Sequence, residues 1–238
     1  MGKERSGSQI KGMVFDVFGT VVDWRAGVIR EGEELGQKKN LDVDWHAFAD
    51  EWRGKYQPSM ERVRNGEVEW TNLDSLHRAS LEELLEEFEI EGLSEVEKDH
   101  LNRAWHRLDP WPDSVEGLRK MKGNHVISPL SNGNISLLVN MAKRAGLPWD
   151  VVLSAETIHR YKPDPETYLL MPGLFDFAPE ETMMAAAHVS DLLAAKECGL
   201  KTAYVKRPDE FGVGGEAEEP DSSIDIVAEN FVELSKKL

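Results

Sequence analysis

The stretch FDVFGTVVDW, residues 15–24, decides the fold. It closes an apolar run rich in β-formers, IKGMVFDV (10–17), which delivers one carboxylate, Asp16, into a turn holding Gly19 and Thr20. A run of this kind ended by a glycine turn reads as a buried parallel strand that places an acid in a loop. Two residues beyond the acid stands the apolar ring of Phe18.

Outward from this stretch the periodicity changes twice. From about residue 26 to 110 the chain is helical and charged: WHAFADEWRGKY and LHRASLEELLEEFEI space their apolar residues by three and four. After DPWPDSVEGLRKMKG, strand and helix alternate again: HVISPL then SLLVNMAKRAG, DVVLS then PETYLL, TMMAAAH then DLLAAKECG, and finally KTAYV. Such alternation implies right-handed βαβ units and a parallel sheet. The expected fold is α/β, a doubly wound, Rossmann-like core (9–24 plus 111–238) with an inserted all-helical cap (25–110). The segment GVGGEAEEPDSS, 212–223, reads as a polar loop.

Composition bounds the partners. The 238 residues are 40% hydrophobic, ordinary for a globular chain, and their net charge is −16. That charge argues against nucleic acid, whose binding rests on clustered Lys and Arg. The single cysteine, Cys198, forms no internal disulfide and suggests a reducing compartment. No apolar run approaches the roughly 18 residues of a membrane span, and the N-terminal MGKERSGSQIKG contains no long apolar stretch. A cytoplasmic protein with no membrane partner is expected. The oligomeric state is open, a homodimer being one option.

Ligands of open α/β sheets bind beyond the carboxyl ends of the strands. The polar residues at those ends are Asp16, Ser131 with Asn132, Lys162, and His188, Ser190 and Asp191. An acid, a hydroxyl with an amide, a lysine and a second acid therefore converge from distant parts of the chain. His188 taken alone reads as a satisfied buried histidine before it reads as a catalyst, yet it stands in the loop beside Asp191. Trp24, Trp105, Trp111 and Trp149 read as packing, LEELLEEFEIEG as a solvated helix face, and Cys198 as a small buried residue.

DVFGT, LSNGN, YKPDPETY and HVSDLLAAKECG, in this order, resemble the four motifs of the haloacid dehalogenase superfamily over residues 10–207. Most members of that superfamily are magnesium-dependent phosphatases. Their motifs carry acids where this chain has Phe18, Ala186 and Ala187. With those acids missing, magnesium loses hard oxygen ligands. The chain is similar instead to the 2-haloacid dehalogenases, whose reaction needs neither metal nor cofactor.

That resemblance implies roles residue by residue. Asp16 attacks the halogen-bearing carbon of a small halogenated carboxylate, and the ester formed is hydrolysed to a 2-hydroxy acid. Thr20 orients Asp16. Lys162 keeps it ionised and pairs with the substrate carboxylate, supported by Tyr168. Ser131 and the main-chain N–H groups of Val17 and Phe18 also hold that carboxylate, with the Phe18 ring as an apolar wall. Asn132, Arg53 and Trp70 face the departing halide. Asp191 activates the hydrolytic water.

At finer grain, PWPDSV, PLSNGN and AAAHVSDL resemble a fluoroacetate-active branch, with His188 where many relatives have asparagine. Val189 and Ser190 depart from that branch's more polar, glycine-containing pair. Short haloacetates, fluoroacetate included, are the expected substrates. Two alternatives remain at this stage: a phosphatase or phosphotransferase with relaxed motifs, and a non-catalytic binding protein of the same fold.

Overall fold

The computed structural model describes residues 9–238. The first eight residues of the N-terminal stretch discussed above lie outside that range. Strand β1 (Gly12–Phe15) is buried at every position. Beyond Asp16 the chain forms the two-residue strand β2 (Val22–Asp23) and enters five helices: α1 (Trp24–Lys39), α2 (Trp45–Gly54), α3 (Tyr56–Arg64), α4 (Leu73–Glu87) and α5 (Glu95–Asn102). A 3-10 turn, Arg103–His106, leads to β3 (Asp109–Pro110), which pairs antiparallel with β2. The chain thus leaves the sheet and returns at one place.

From there α6 (Ser114–Lys122), β4 (Val126–Ser131), α7 (Ile135–Ala145) and β5 (Leu153–Ser154) follow. Next come α8 (Pro165–Tyr168), α9 (Leu170–Phe175), β6 (Thr182–Ala186) and α10 (Val189–Glu197). Strands β7 (Lys201–Val205) and β8 (Ile226–Ala228) and helix α11 (Phe231–Lys237) end the chain. The six-stranded sheet runs β5-β4-β1-β6-β7-β8, parallel throughout. The order turns around at β1, where the chain has built β4 and β5 on one side before crossing to β6 on the other. The crevice beyond the end of β1 is therefore the switch point at which such sheets bind ligands.

Local chemistry sets the boundaries. Asp23, Asp44, Asn72 and Ser94 each accept a main-chain N–H from the first turn of the helix they open, and Ser94 completes a capping box with Glu97. Alternation along β1 sends Met13 and Phe15 to one buried cluster and Val14 to the other, so both sheet faces are covered. The anticipated strand over 150–154 shrinks to Leu153–Ser154 because side chains take its ladder bonds. The Asp150 carboxylate accepts from Ile127 N, and Ser128 Oγ accepts from Leu153 N. The β2–β3 ribbon, β8 and α11 have no counterpart in the sequence reading.

Aromatic side chains join the helical insertion to the sheet. Trp24 and Trp105 are fully buried and stacked, and Phe18 and Trp52 meet Trp105 edge-on. Trp111 and Trp149 are only partly buried, Trp111 donating to Gly19 O at 2.9 Å and Trp149 lying 5.6 Å from the Phe15 ring. Cys198 is half-buried rather than enclosed. No helix among the described residues is long and apolar enough to cross a membrane.

Candidate active site

Strand β1 delivers Asp16 to the switch point, and its N–H is still held by Ala185 O at 3.0 Å. Thr20 Oγ1 accepts from Ala187 N at 2.9 Å and donates to Asp16 Oδ2 at 2.7 Å. The hydroxyl proton is thus committed to the carboxylate, and one rotamer of Asp16 is fixed. The N–H groups of Val17 and Phe18 have no acceptor among the described residues. They remain available to an anion beside Asp16.

Opposite Thr20, Lys162 Nζ lies 2.9 Å from Asp16 Oδ1 and 2.5 Å from Asp191 Oδ2. Tyr168 Oη donates to the other oxygen of Asp191 at 2.6 Å. Tyr168 therefore supports the lysine through Asp191 rather than by direct contact. Burial opposes the charge on Asp16, yet Lys162 and then His188 hold its carboxyl far below the usual carboxylate range. Burial, reinforced by the charge of Asp16, pushes the Asp191 carboxyl upward against the pull of Lys162. Lys162 is buried too, but its two carboxylate partners raise it above an ordinary lysine.

A third carboxylate, unanticipated from sequence, completes the constellation. His188 Nδ1 lies 3.2 Å from Asp16 Oδ2, and its Nε2 lies 3.0 and 3.1 Å from the two oxygens of Glu210. Burial disfavours the imidazolium, but hydrogen bonds to Asp16 and Glu210 push the ring up to about 10. Glu210 also accepts from Trp24 Nε1 at 3.0 Å. Its loop is tied down by Arg207, which donates to Thr20 O and forks onto Asp113. One acid among 44 in a polar stretch gives little signal in sequence. Only the long-range fold brings Glu210 behind His188.

The helical insertion roofs a cavity of about 390 Å³ over Asp16, Lys162, His188 and Asp191, lined from above by Arg53, Tyr56 and Gln57. Arg53 lies over the rings of Tyr56 (4.3 Å) and Trp24 (5.4 Å), and its buried Nη1 has no hydrogen-bond partner. A guanidinium held by aromatic faces and left unpaired is an anion receptor. Asn132 lines the same cavity and accepts from Lys162 N at 2.8 Å through Oδ1, which leaves its NH2 as a donor. Tyr56 lines the cavity with it.

Three expected contacts are not assembled. Trp70 stacks on His159 and lines a separate slot with Arg64 and Tyr161, because the segment after α3 runs toward the loop following β5 and away from Asp16. Ser131 is buried below the cavity, its Oγ accepting from Gly133 N at 3.1 Å. The Phe18 ring is not on the cavity wall but behind it, packed edge-on against Tyr56 and Trp105. Ser190 and Glu218 lie at the cavity's margin.

The donor set does not fit the magnesium ion that most members of the fold family use. Between Asp16 and Asp191, where a cation would bridge two carboxylates, the Lys162 ammonium already makes both contacts. Ala186 and Ala187 offer no side-chain oxygen, and the neighbouring His188 carries positive charge.

A family model for haloacid dehalogenase-like hydrolases matches residues 10–199. The (S)-2-haloacid dehalogenase 4A of Burkholderia cepacia is 26% identical over 216 residues, covering 83% of this chain and 84% of its own. Among solved structures, a defluorinating L-2-haloacid dehalogenase is similar with a TM-score of 0.93 at 45% identity, over 96% of this chain and 95% of that one. A second L-2-haloacid dehalogenase gives a TM-score of 0.90 at 41% identity, over 96% and 99%.

Proposed function

The chain belongs to the haloacid dehalogenase-like hydrolase family, and on that premise we propose that it hydrolyses the carbon–halogen bond of short 2-haloacids through an ester on Asp16. The observation that carries this reading is the pairing of an ionised, immobilised Asp16 with an unpaired Arg53 across one cavity. Displacement of halide from carbon needs those two parts, a nucleophile and an anion acceptor, and no acid for the leaving group. Residues 9–24 with 111–238 act as the core and 25–110 as the cap, divided at the β2–β3 ribbon. The (S) configuration in the names of similar enzymes extends to this chain as part of the proposal.

In the first step a carboxylate oxygen of Asp16 attacks C2 from the side opposite the halogen. The C–O bond forms as the C–X bond breaks, and the electron pair leaves with the halide toward Arg53 and the Asn132 amide. The free N–H groups of Val17 and Phe18, with Lys162, hold the substrate carboxylate. In the second step water attacks the ester carbonyl carbon of Asp16, releasing the 2-hydroxy acid and restoring the carboxylate.

The water's proton requires a base that the first step leaves intact. Both oxygens of Asp191 are engaged, by Lys162 and Tyr168, so we assign Asp191 to holding the lysine and not to the water. His188 takes the base role. While Asp16 is ionised, two carboxylates stabilise the imidazolium. Esterification removes one of those charges, burial then weighs more heavily, and the ring gives its proton to solvent. The neutral ring, still oriented by Glu210, accepts the proton of the attacking water. The overall reaction consumes one water and releases one halide ion and one proton.

Fluoroacetate belongs among the substrates in this reading, since Arg53, Asn132 and Tyr56 crowd polar donors where charge develops. The full cavity is wider than a two-carbon acid needs, so 2-halopropionates fit as well. A cytoplasmic site of action accords with the single, half-buried Cys198. Purified protein is tested on chloroacetate, fluoroacetate and the two 2-chloropropionate enantiomers, with and without chelator. Equal release of halide and hydroxy acid, unaffected by chelator, is expected. Magnesium-dependent phosphate release from an aryl phosphate, with no halide from any haloacid, would contradict the proposal.

A further inference from the structure

Lys162 touches both Asp16 and Asp191, and its loop is held from the core side by Lys162 N on Asn132 Oδ1, Arg160 N on Ala155 O and Thr167 Oγ1 on Arg160 O. The loop's contacts with the helical insertion lie on both sides of the lysine. Before it, the Trp70 ring stacks nearly parallel on His159, 4.9 Å between centroids at 9°, and lies 4.7 Å from the Tyr161 ring. The Tyr161 hydroxyl donates to Thr71 O at 2.6 Å. After it, Arg64 Nε and Nη2 both donate to Asp164 Oδ1, at 3.0 and 2.8 Å. His159 adopts φ +56, a left-handed conformation uncommon for a residue with a β-carbon.

We propose that Trp70 and Arg64 are positioning residues: the last residue of α3 and the segment joining α3 to α4 clamp the loop 159–164 at 159, 161 and 164, and so help set where the Lys162 ammonium meets Asp16. Lys162 Nζ reaches Asp16 and Asp191 at 2.9 and 2.5 Å, and its main-chain N–H is fixed on Asn132. A loop displaced by about an ångström turns both charge-assisted contacts into weak ones. The docking of the helical insertion is thereby coupled to the nucleophile, although neither Trp70 nor Arg64 reaches the cavity above Asp16. The catalytic consequence rests on the reading of Asp16 as nucleophile, whereas the clamp itself rests on geometry alone.

The test uses the full chain and reads the lysine directly. Wild type, Trp70→Ala, Arg64→Ala and Trp70→Phe are acylated with an amine reagent, and the rate at each lysine is followed by peptide mass spectrometry alongside kcat and KM. In Trp70→Ala and Arg64→Ala the acylation of Lys162 is expected to rise at least tenfold with the other lysines unchanged, and kcat to fall at least tenfold with KM within twofold. Trp70→Phe, which keeps a ring for the stack, is expected to return both readings to near wild type. Lys162 as protected in Trp70→Ala and Arg64→Ala as in wild type overturns the clamp. So does a uniform rise at every lysine, which marks general loosening. Failure of the wild type to release halide overturns the proposed function instead, and the labelling comparison still decides the clamp.

Discussion

A β-carbon at Gly19 would stand 2.0 Å from Oε1 of Glu210. The turn that carries the nucleophile is thus shaped to admit the carboxylate that orients His188, and Gly19 is also held at φ +84. Gly19→Ala must displace Glu210 or strain the turn. It should cost about 1–3 kcal/mol of stability. It should also separate His188 from its partner. Urea unfolding gives the first quantity. Accumulation of the Asp16 ester, seen by intact-protein mass during turnover, gives the second.

The same imidazole makes stability depend on pH. His188 titrates near 10 in the folded chain and near 6.5 unfolded. Folding therefore gains from its charge below about pH 6.5, and the gain disappears as pH rises toward 10. Urea unfolding of wild type at pH 6.5, 8 and 10 should show a progressive loss of stability, with a shallower decline in His188→Gln. Equal slopes for the two proteins would mean that His188 is not held between two charges.

Much of this site can be read in the sequence because strand ends are legible. Asp16, Asn132 and Asp191 each follow a recognisable apolar run, Lys162 opens a proline-marked turn, and a parallel sheet must bring such ends together. Glu210 follows β7 in a loop whose glycines and acids look like solvated connection. Tyr56, in the stretch that yields Arg53, reads as helix packing, since an aromatic residue on an amphipathic helix is buried whether or not it meets a ligand. Trp70 was expected at the halide, but its surroundings depend on the path between two helices, which periodicity does not give. Strands of two or three residues, as in β2, β3 and β8, are too short to show alternation.

Tyr168 is fully buried, and its hydroxyl is one of the two side-chain partners of Asp191. Tyr168→Phe keeps the ring and leaves a buried carboxylate oxygen unsatisfied. A loss of about 1–3 kcal/mol in stability is expected. With Asp191 free to turn, Lys162 is less well aimed, and kcat should fall about tenfold, equivalent to about 1.4 kcal/mol in the barrier. Guanidinium or urea titration with steady-state kinetics on this one variant checks both numbers.

Arg53 should reveal itself through product inhibition. Arg53 lines the cavity above Asp16 and has no carboxylate partner among the described residues, so added chloride or bromide should inhibit wild type competitively against substrate. Arg53→Ala should lose that inhibition and about two to three orders of magnitude in kcat, the scale seen when one donor to developing charge is removed. Inhibition by halide that persists in Arg53→Ala would place the anion site elsewhere.

Direct attack by Asp16 on the substrate carbon is tested most directly by one turnover in heavy-oxygen water with enzyme in excess. Attack by the carboxylate predicts a 2-hydroxy acid with no heavy oxygen and a peptide containing Asp16 heavier by one label, because solvent oxygen enters only when the ester is hydrolysed. Label in the first-turnover product, with Asp16 unlabelled, would mean that water attacks the substrate itself and would contradict the mechanism built on Asp16.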